Sequence, residues 1–133
     1  AEQKLYDDVR EIYEKLMDEM EVNMPFGELQ RITCELFEAQ GHPTTRSNEA
    51  TQEGYVHSVG HGLGVNVHER PWARMEMKDN LLQRGTVFTI EPGLYYSERG
   101  MGVRIENPYY ARPDGTFERI VEFPFDFVLE MKR

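Results

Sequence analysis

His57, His61 and His68 fall within twelve residues of a 133-residue chain, in a stretch interrupted by Gly60, Gly62 and Gly64. Two imidazoles four residues apart, as in His57 and His61, would suggest a zinc pair on a helix. Three glycines in five residues make a helix there costly, at about 1 kcal/mol each. An extended chain fits better, and its even spacing puts both imidazoles on one face. The glycines also let a backbone, a ligand or a metal approach closely. His68 lies seven residues beyond His61, an odd interval that points it to the opposite face of a regular strand. A site built from His57, His61 and His68 alone is therefore the weaker arrangement.

Two carboxylates follow. Residues 86–90 form a β-rich run that ends in Glu91 and stops at Pro92-Gly93. Val87, Thr89 and Glu91 share one face of such a strand, Phe88 and Ile90 the other. Residues 102–111 form a second run, with Arg104 and Glu106 on one face and Val103 and Ile105 on the other. A hairpin connection through residues 93–101 would bring Glu91 and Glu106 onto adjacent strands. Standing alone, Glu91 reads as a surface residue opening a turn. Arg104 and Glu106 alone read as a surface ion pair worth under about 1 kcal/mol. Read together, two carboxylates that close repel unless one is protonated or a cation lies between them. One imidazole with two carboxylates favours Mn²⁺, Co²⁺, Zn²⁺ or Fe²⁺ over an all-oxygen Ca²⁺ site. A cation of that kind lowers the pKa of water toward about 7 and polarises carbonyls, which is hydrolytic chemistry.

The elements that must position these residues are legible from periodicity. Leu5, Val9, Ile12, Leu16 and Met20 recur at helical spacing, widened by Tyr13 and Met17, and predict a helix over residues 3–21. Residues 23–25 break it. Pro25 suits the first turn of a second helix over residues 25–40, whose apolar face is Phe26, Leu29, Ile32, Leu36 and Phe37 and which Gly41 ends. Residues 42–54 are polar and aperiodic, as in a surface loop. Pro113-Asp114-Gly115 makes a turn into residues 116–121, and an apolar stretch runs from 123 to 129. The predicted class is α+β, one domain with two helices packed on a curved antiparallel sheet and the site on the concave side.

Composition narrows the partners. The net charge is −9; residues 1–40 carry eleven acidic and four basic side chains. That acidic front argues against nucleic acid and anionic membrane as partners. No apolar run approaches the ~20 residues of a membrane helix, and the first residues lack the pattern of a signal peptide. A lone cysteine, Cys34, suits a reducing, cytoplasmic compartment. The chain does not begin with Met, so an upstream segment is expected.

Taken in order, Gly60-His61-Gly62, His68-Glu69-x-Pro71, Glu91-Pro92-Gly93 and Arg104-x-Glu106 resemble the pita-bread metallopeptidases, which include proline aminopeptidases and prolidases. The resemblance implies the second half of that catalytic domain and metal-dependent cleavage of a peptide bond next to proline, as an Xaa-Pro aminopeptidase or dipeptidase. It implies a pair of divalent ions, Mn²⁺ or Co²⁺ above Zn²⁺ or Fe²⁺, with His61, Glu91 and Glu106 among their ligands. Glu91 would also shuttle a proton, His57 and His68 would contact the substrate, and Arg104 would hold the carboxylates in place. The family's dinuclear site has five protein ligands, two of them aspartates on strands upstream of the helix pair. Asp7, Asp8 and Asp18 lie in a helical pattern and do not match them. Asn107 stands where the family usually has aspartate. The expected partners are a proline-containing peptide and either a missing N-terminal half or a second copy. The alternative is a non-catalytic peptide- or protein-binding module on the same scaffold.

Overall fold

The structure, a computed structural model, describes residues 1–131. Helix α1 (Glu2–Glu19) buries Leu5, Val9, Ile12, Tyr13 and Leu16 as one stripe. On its wet side, Lys4 with Asp8, Arg10 with Glu14 and Lys15 with Glu11 pair at i,i+4 spacing. Asn23, at φ 67°, takes the left-handed turn that separates the helices. Helix α2 (Phe26–Ala39) starts one residue after Pro25, which sits at the N-cap position rather than in the first turn. Gly41 (φ 87°) closes it: its N–H bonds Glu38 O, and His42 N–H bonds Phe37 O. That pair of bonds needs a left-handed residue, which glycine supplies without a Cβ clash.

The buried arc of α2 differs from the apolar pattern. Phe26, Leu29 and Phe37 are buried as expected, but Gln30, Thr33 and Cys34 join them, while Ile32 and Leu36 are half-buried. The helix is turned toward polar residues because Gln30 serves backbone groups beside the site, as shown below.

Seven strands follow among the described residues. A five-stranded antiparallel sheet has the order β2 (Glu69–Trp72), β1 (His61–Gly62), β3 (Val87–Ile90), β6 (Asn107–Ala111), β7 (Phe117–Arg119). The hairpin of β4 (Gly93–Tyr96) and β5 (Met101–Arg104), joined by a 3₁₀ turn at Ser97–Arg99, forms a separate two-stranded sheet. Two helices with an antiparallel sheet make this an α+β fold. The core runs between the layers through Ile12, Leu16, Phe26, Phe37, Tyr55, Phe88, Ile90 and Leu94, all fully buried.

Three sequence expectations change here. Residues 93–101 are not a simple connection, because 93–104 folds into a hairpin of its own. The run 102–111 is accordingly cut at Ile105-Glu106, where the chain passes from one sheet to the other. Thr44 and Tyr55 are buried and bridge each other, so the 42–54 segment is anchored rather than only wet. The apolar stretch 123–129 forms no strand. It lies against α1, where Phe125 O accepts the Tyr6 hydroxyl at 2.7 Å.

Close approach explains two of the glycines that flank His61. A Cβ at Gly60 would come within 1.9 Å of Thr89 O, and one at Gly62 within 2.1 Å of Arg70 O. Both contacts are to backbone, which cannot swing aside, so His61 is carried on a strand pressed between β2 and β3.

Candidate metal centre

β3 and β6 pair with Ile90 opposite Asn107. Glu91 and Glu106 are the residues just past that last pair, one leaving the sheet and one entering it. β1 lies on the other side of β3 and delivers His61. One ligand atom from each of His61, Glu91 and Glu106 lies within 4.8 Å of the others.

The hydrogen bonds around these atoms bear on a cation. His61 Nδ1 is 2.9 Å from Gly62 O, so the proton sits on Nδ1 and Nε2 carries a lone pair. That Nε2 is 3.1 Å from Glu91 Oε1. Two acceptors at that distance repel unless a cation or a proton is shared between them. Glu91 is 7% exposed and accepts from the Thr89 hydroxyl at 3.0 Å, while Arg104 Nη1 stands 3.4 Å from its other oxygen. Glu106 lies at the surface. Partial burial of its carboxyl, and then the negative charge of Glu91, raise its pKa above the ordinary carboxylate range, against Arg104, His61 and His68. A donor set of one nitrogen and two carboxylates that repel each other fits a divalent cation.

Arg104 is not paired with Glu106 among the described residues, contrary to the surface-pair reading. It reaches back to Glu91 and donates from Nε to Tyr95 Oη at 2.7 Å. Tyr95 Oη is 3.2 Å from His57 Nε2, and His57 Nδ1 is 2.7 Å from Ser58 O. The bonds run one way: Arg104 to Tyr95, Tyr95 to His57, His57 to a carbonyl. Burial lowers the His57 pKa most, the Ser58 carbonyl partly restoring it and the Arg104 cation lowering it further. The ring is neutral at pH 7, as that chain of donors requires.

His68 lies on the same side as His61, against the strand-parity argument. The chain folds back between β1 and β2, and the two rings stack edge-on with centroids 4.3 Å apart. Parity holds within a regular strand, and residues 63–68 are a turn. His57, His61, His68, Trp72, Arg74, Glu91 and Arg104 together line a cavity of about 270 Å³.

Sequence reasoning missed Gln30, Tyr95 and Trp72 as parts of this region. Gln30 was hidden on an apolar helix face. Its Oε1 accepts from Tyr55 Oη at 2.7 Å and from Val59 N–H at 2.6 Å, and its Nε2 donates to His57 O at 3.2 Å. Replacing Gln30 with alanine strands two buried donors, each costing about 1–3 kcal/mol. Urea unfolding is expected to show a loss of about 2–4 kcal/mol; a change under about 0.5 kcal/mol would contradict this bracing of the His57 segment. Asn107 is buried between the layers and donates to Tyr13 Oη at 3.0 Å.

This arrangement of helices, sheet and strand-end cluster is that of the pita-bread metallopeptidases. The chain overlays 95% of its length on the prolidase of Pyrococcus horikoshii OT3, with TM-score 0.76, 28% identity and 33% of that chain covered. It overlays 93% on the X-Pro aminopeptidase of Thermotoga maritima MSB8, with TM-score 0.76, 27% identity and 32% covered. It is also 31% identical over 115 residues to the Xaa-Pro dipeptidase of Pyrococcus furiosus, covering 86% of this chain and 30% of that one. Residues 1–113 match the profile of metallopeptidase family M24, and the chain belongs to that family. It spans about a third of the length of each of these three relatives.

Proposed function

We propose that this chain is the C-terminal half of the catalytic domain of a metallopeptidase that cleaves peptide bonds next to proline. The observation that carries it is the meeting of His61, Glu91 and Glu106 within 4.8 Å at the ends of separate strands. These three would hold divalent metal, manganese or cobalt before zinc or iron, in a site that takes two ions in the complete protein. Bound there, the metal supplies a Lewis acid for the peptide carbonyl and activates water at neutral pH.

The protein groups supply the rest. Glu91, in hydrogen-bonding range of Thr89 and held by Arg104, takes a proton from the attacking water and returns it to the leaving nitrogen. Neutral His57, together with His68 on the same cavity wall, contacts the substrate around the scissile carbonyl. Arg104 steadies Glu91 and, through Tyr95, the orientation of His57.

Glu106 borders a second cavity of about 440 Å³, lined by Tyr6, Pro108 and the 123–126 segment. The cluster is thus open on that side, where an upstream half would add its two aspartates. Phe123, Val128 and Met131, exposed by 61, 75 and 89%, suit cover by that half or by a second copy. A single buried thiol, Cys34, fits a cytoplasmic protein; among the described residues no helix is long and apolar enough to cross a membrane.

The test is to load the complete gene product with Mn²⁺ or Co²⁺ and follow release of the residue preceding proline from Ala-Pro and from longer Xaa-Pro peptides. Metal-dependent cleavage that EDTA abolishes is the expected result. Metal binding with tight peptide binding and no cleavage of any peptide would mark a binding module instead.

A further inference from the structure

The fourth histidine of the chain, His42, lies outside the metal region. It follows the glycine that ends α2, and its N–H is bonded to Phe37 O at 2.9 Å. Its ring stands edge-on to Phe37 and tilted against Tyr96, with centroids 6.1 and 5.9 Å away. Nδ1 is 2.5 Å from Tyr96 Oη, and Nε2 is 3.2 Å from Asp8 Oδ2. Lys4 Nζ meets the same carboxylate oxygen at 2.5 Å. An ionised carboxylate only accepts, so the His42 proton sits on Nε2 and the Nδ1 lone pair takes the Tyr96 O–H. Burial raises the Tyr96 pKa, with Arg99 opposing it, so the hydroxyl keeps the proton it donates. The tautomer is the reverse of that at His61.

The β4–β5 hairpin needs such a tie. It forms a sheet of its own, so the ladder that fixes β3 and β6 does not fix it. Leu94 and Tyr96 are buried against the core, and Tyr95, between them, faces the other way. There its Oη accepts from Arg104 Nε at 2.7 Å and donates to His57 Nε2 at 3.2 Å. Arg104 in turn stands beside Glu91. Adjacent residues of one strand move together, so whatever holds Tyr96 also places Tyr95. His42 is joined to α1 through Asp8 and to α2 through Phe37 O, and it ties both helices to the hairpin.

We propose that His42 is a positioning residue of the metal site. Bound to Asp8 and Tyr96, it fixes the hairpin on the helices and so sets the bonds that Tyr95 makes to His57 and Arg104. The proposal rests on the peptidase reading of that site, and one of its two readouts is independent of turnover.

Tyr96→Phe removes the hydroxyl and keeps the ring. His42→Phe keeps an aromatic ring against Phe37 and breaks both side-chain bonds. In the complete gene product each is expected to lower kcat for Ala-Pro by about tenfold or more, with KM changed by less than about threefold. Bound Mn²⁺ should stay at the wild-type stoichiometry, because His61, Glu91 and Glu106 stand outside the hairpin. The double variant should lose no more than the larger single, since both break one connection.

The second readout is the His57 ring itself, followed by NMR in Zn²⁺-loaded protein carrying isotope-labelled histidine. Tyr95→Phe marks where the ring nitrogen resonates without its donor. His42→Phe and Tyr96→Phe should both move the His57 signal toward that mark; Tyr96→Phe, the smaller change, guards against a shift caused by misfolding. A His57 signal unmoved by both variants would overturn the proposal, as would wild-type kcat in both. If the signal moves as expected while the wild type cleaves no peptide, His42 keeps its role and the hydrolytic reading alone fails.

Discussion

Replacing Glu91 with glutamine is expected to remove the metal-induced stabilisation of the fold while leaving the metal-free protein at least as stable as the wild type. The carboxylate is 7% exposed, and its charge raises the Glu106 pKa. Without metal it is a buried anion beside a second one and 3.1 Å from the His61 Nε2 lone pair, supported by Thr89 and Arg104. Glutamine has the same shape, still accepts from Thr89 and carries no charge to desolvate or repel. With metal the sign reverses, because the same change removes an anionic ligand from the middle of the cluster. Stranding a buried charge costs about 3–5 kcal/mol, or roughly two to three and a half powers of ten in affinity. Thermal melts with increasing Mn²⁺ separate the two effects, since ligand stabilisation grows as RT ln(1 + [L]/Kd). The wild-type melting temperature should climb with metal and the Glu91→Gln curve should stay flat at the same concentrations. A variant that keeps the wild-type response would remove Glu91 from the ligand set.

How much of this was readable in the chain depends on the range of the physics involved. The stripe Leu5, Val9, Ile12 and Leu16 is written locally, and α1 follows it closely. Gly41 ends α2 where a left-handed residue is needed, another local rule. The candidate ligands could be singled out because their cost is local too: a carboxylate ending an apolar strand demands a partner wherever it lands. What local rules could not supply is the chain's return path. Residues 93–104 form a separate hairpin because Tyr95 bonds Gly54 across the fold, a contact between residues 41 positions apart. His68 meets His61 through a turn, which breaks the period-two parity that would have parted them. Gln30 lay on an apolar face and gave no sign of its role, since its partners Tyr55, His57 and Val59 come from a segment 25 to 29 residues later.

His61 and His68 offer the sharpest contrast in the site, because they stack on each other and differ in what their nitrogens can do. His61 has its Nδ1 proton committed to Gly62 O, and its Nε2 lone pair faces Glu91 within 3.1 Å. His68 is exposed and belongs to no cluster of three ligand atoms among the described residues. His61→Ala should therefore lower Mn²⁺ affinity by at least about a hundredfold, whereas His68→Ala should change it by less than about tenfold and leave the stoichiometry intact. Both ions of a dinuclear site need not respond alike, so bound metal is counted directly by atomic absorption after gel filtration. In activity the expectation for His68→Ala is the reverse of silence. A side chain that touches substrate without holding metal loses turnover while metal content stays full. Loss of metal with His68 and its retention with His61 would exchange their roles and move the cation toward the mouth of the cavity.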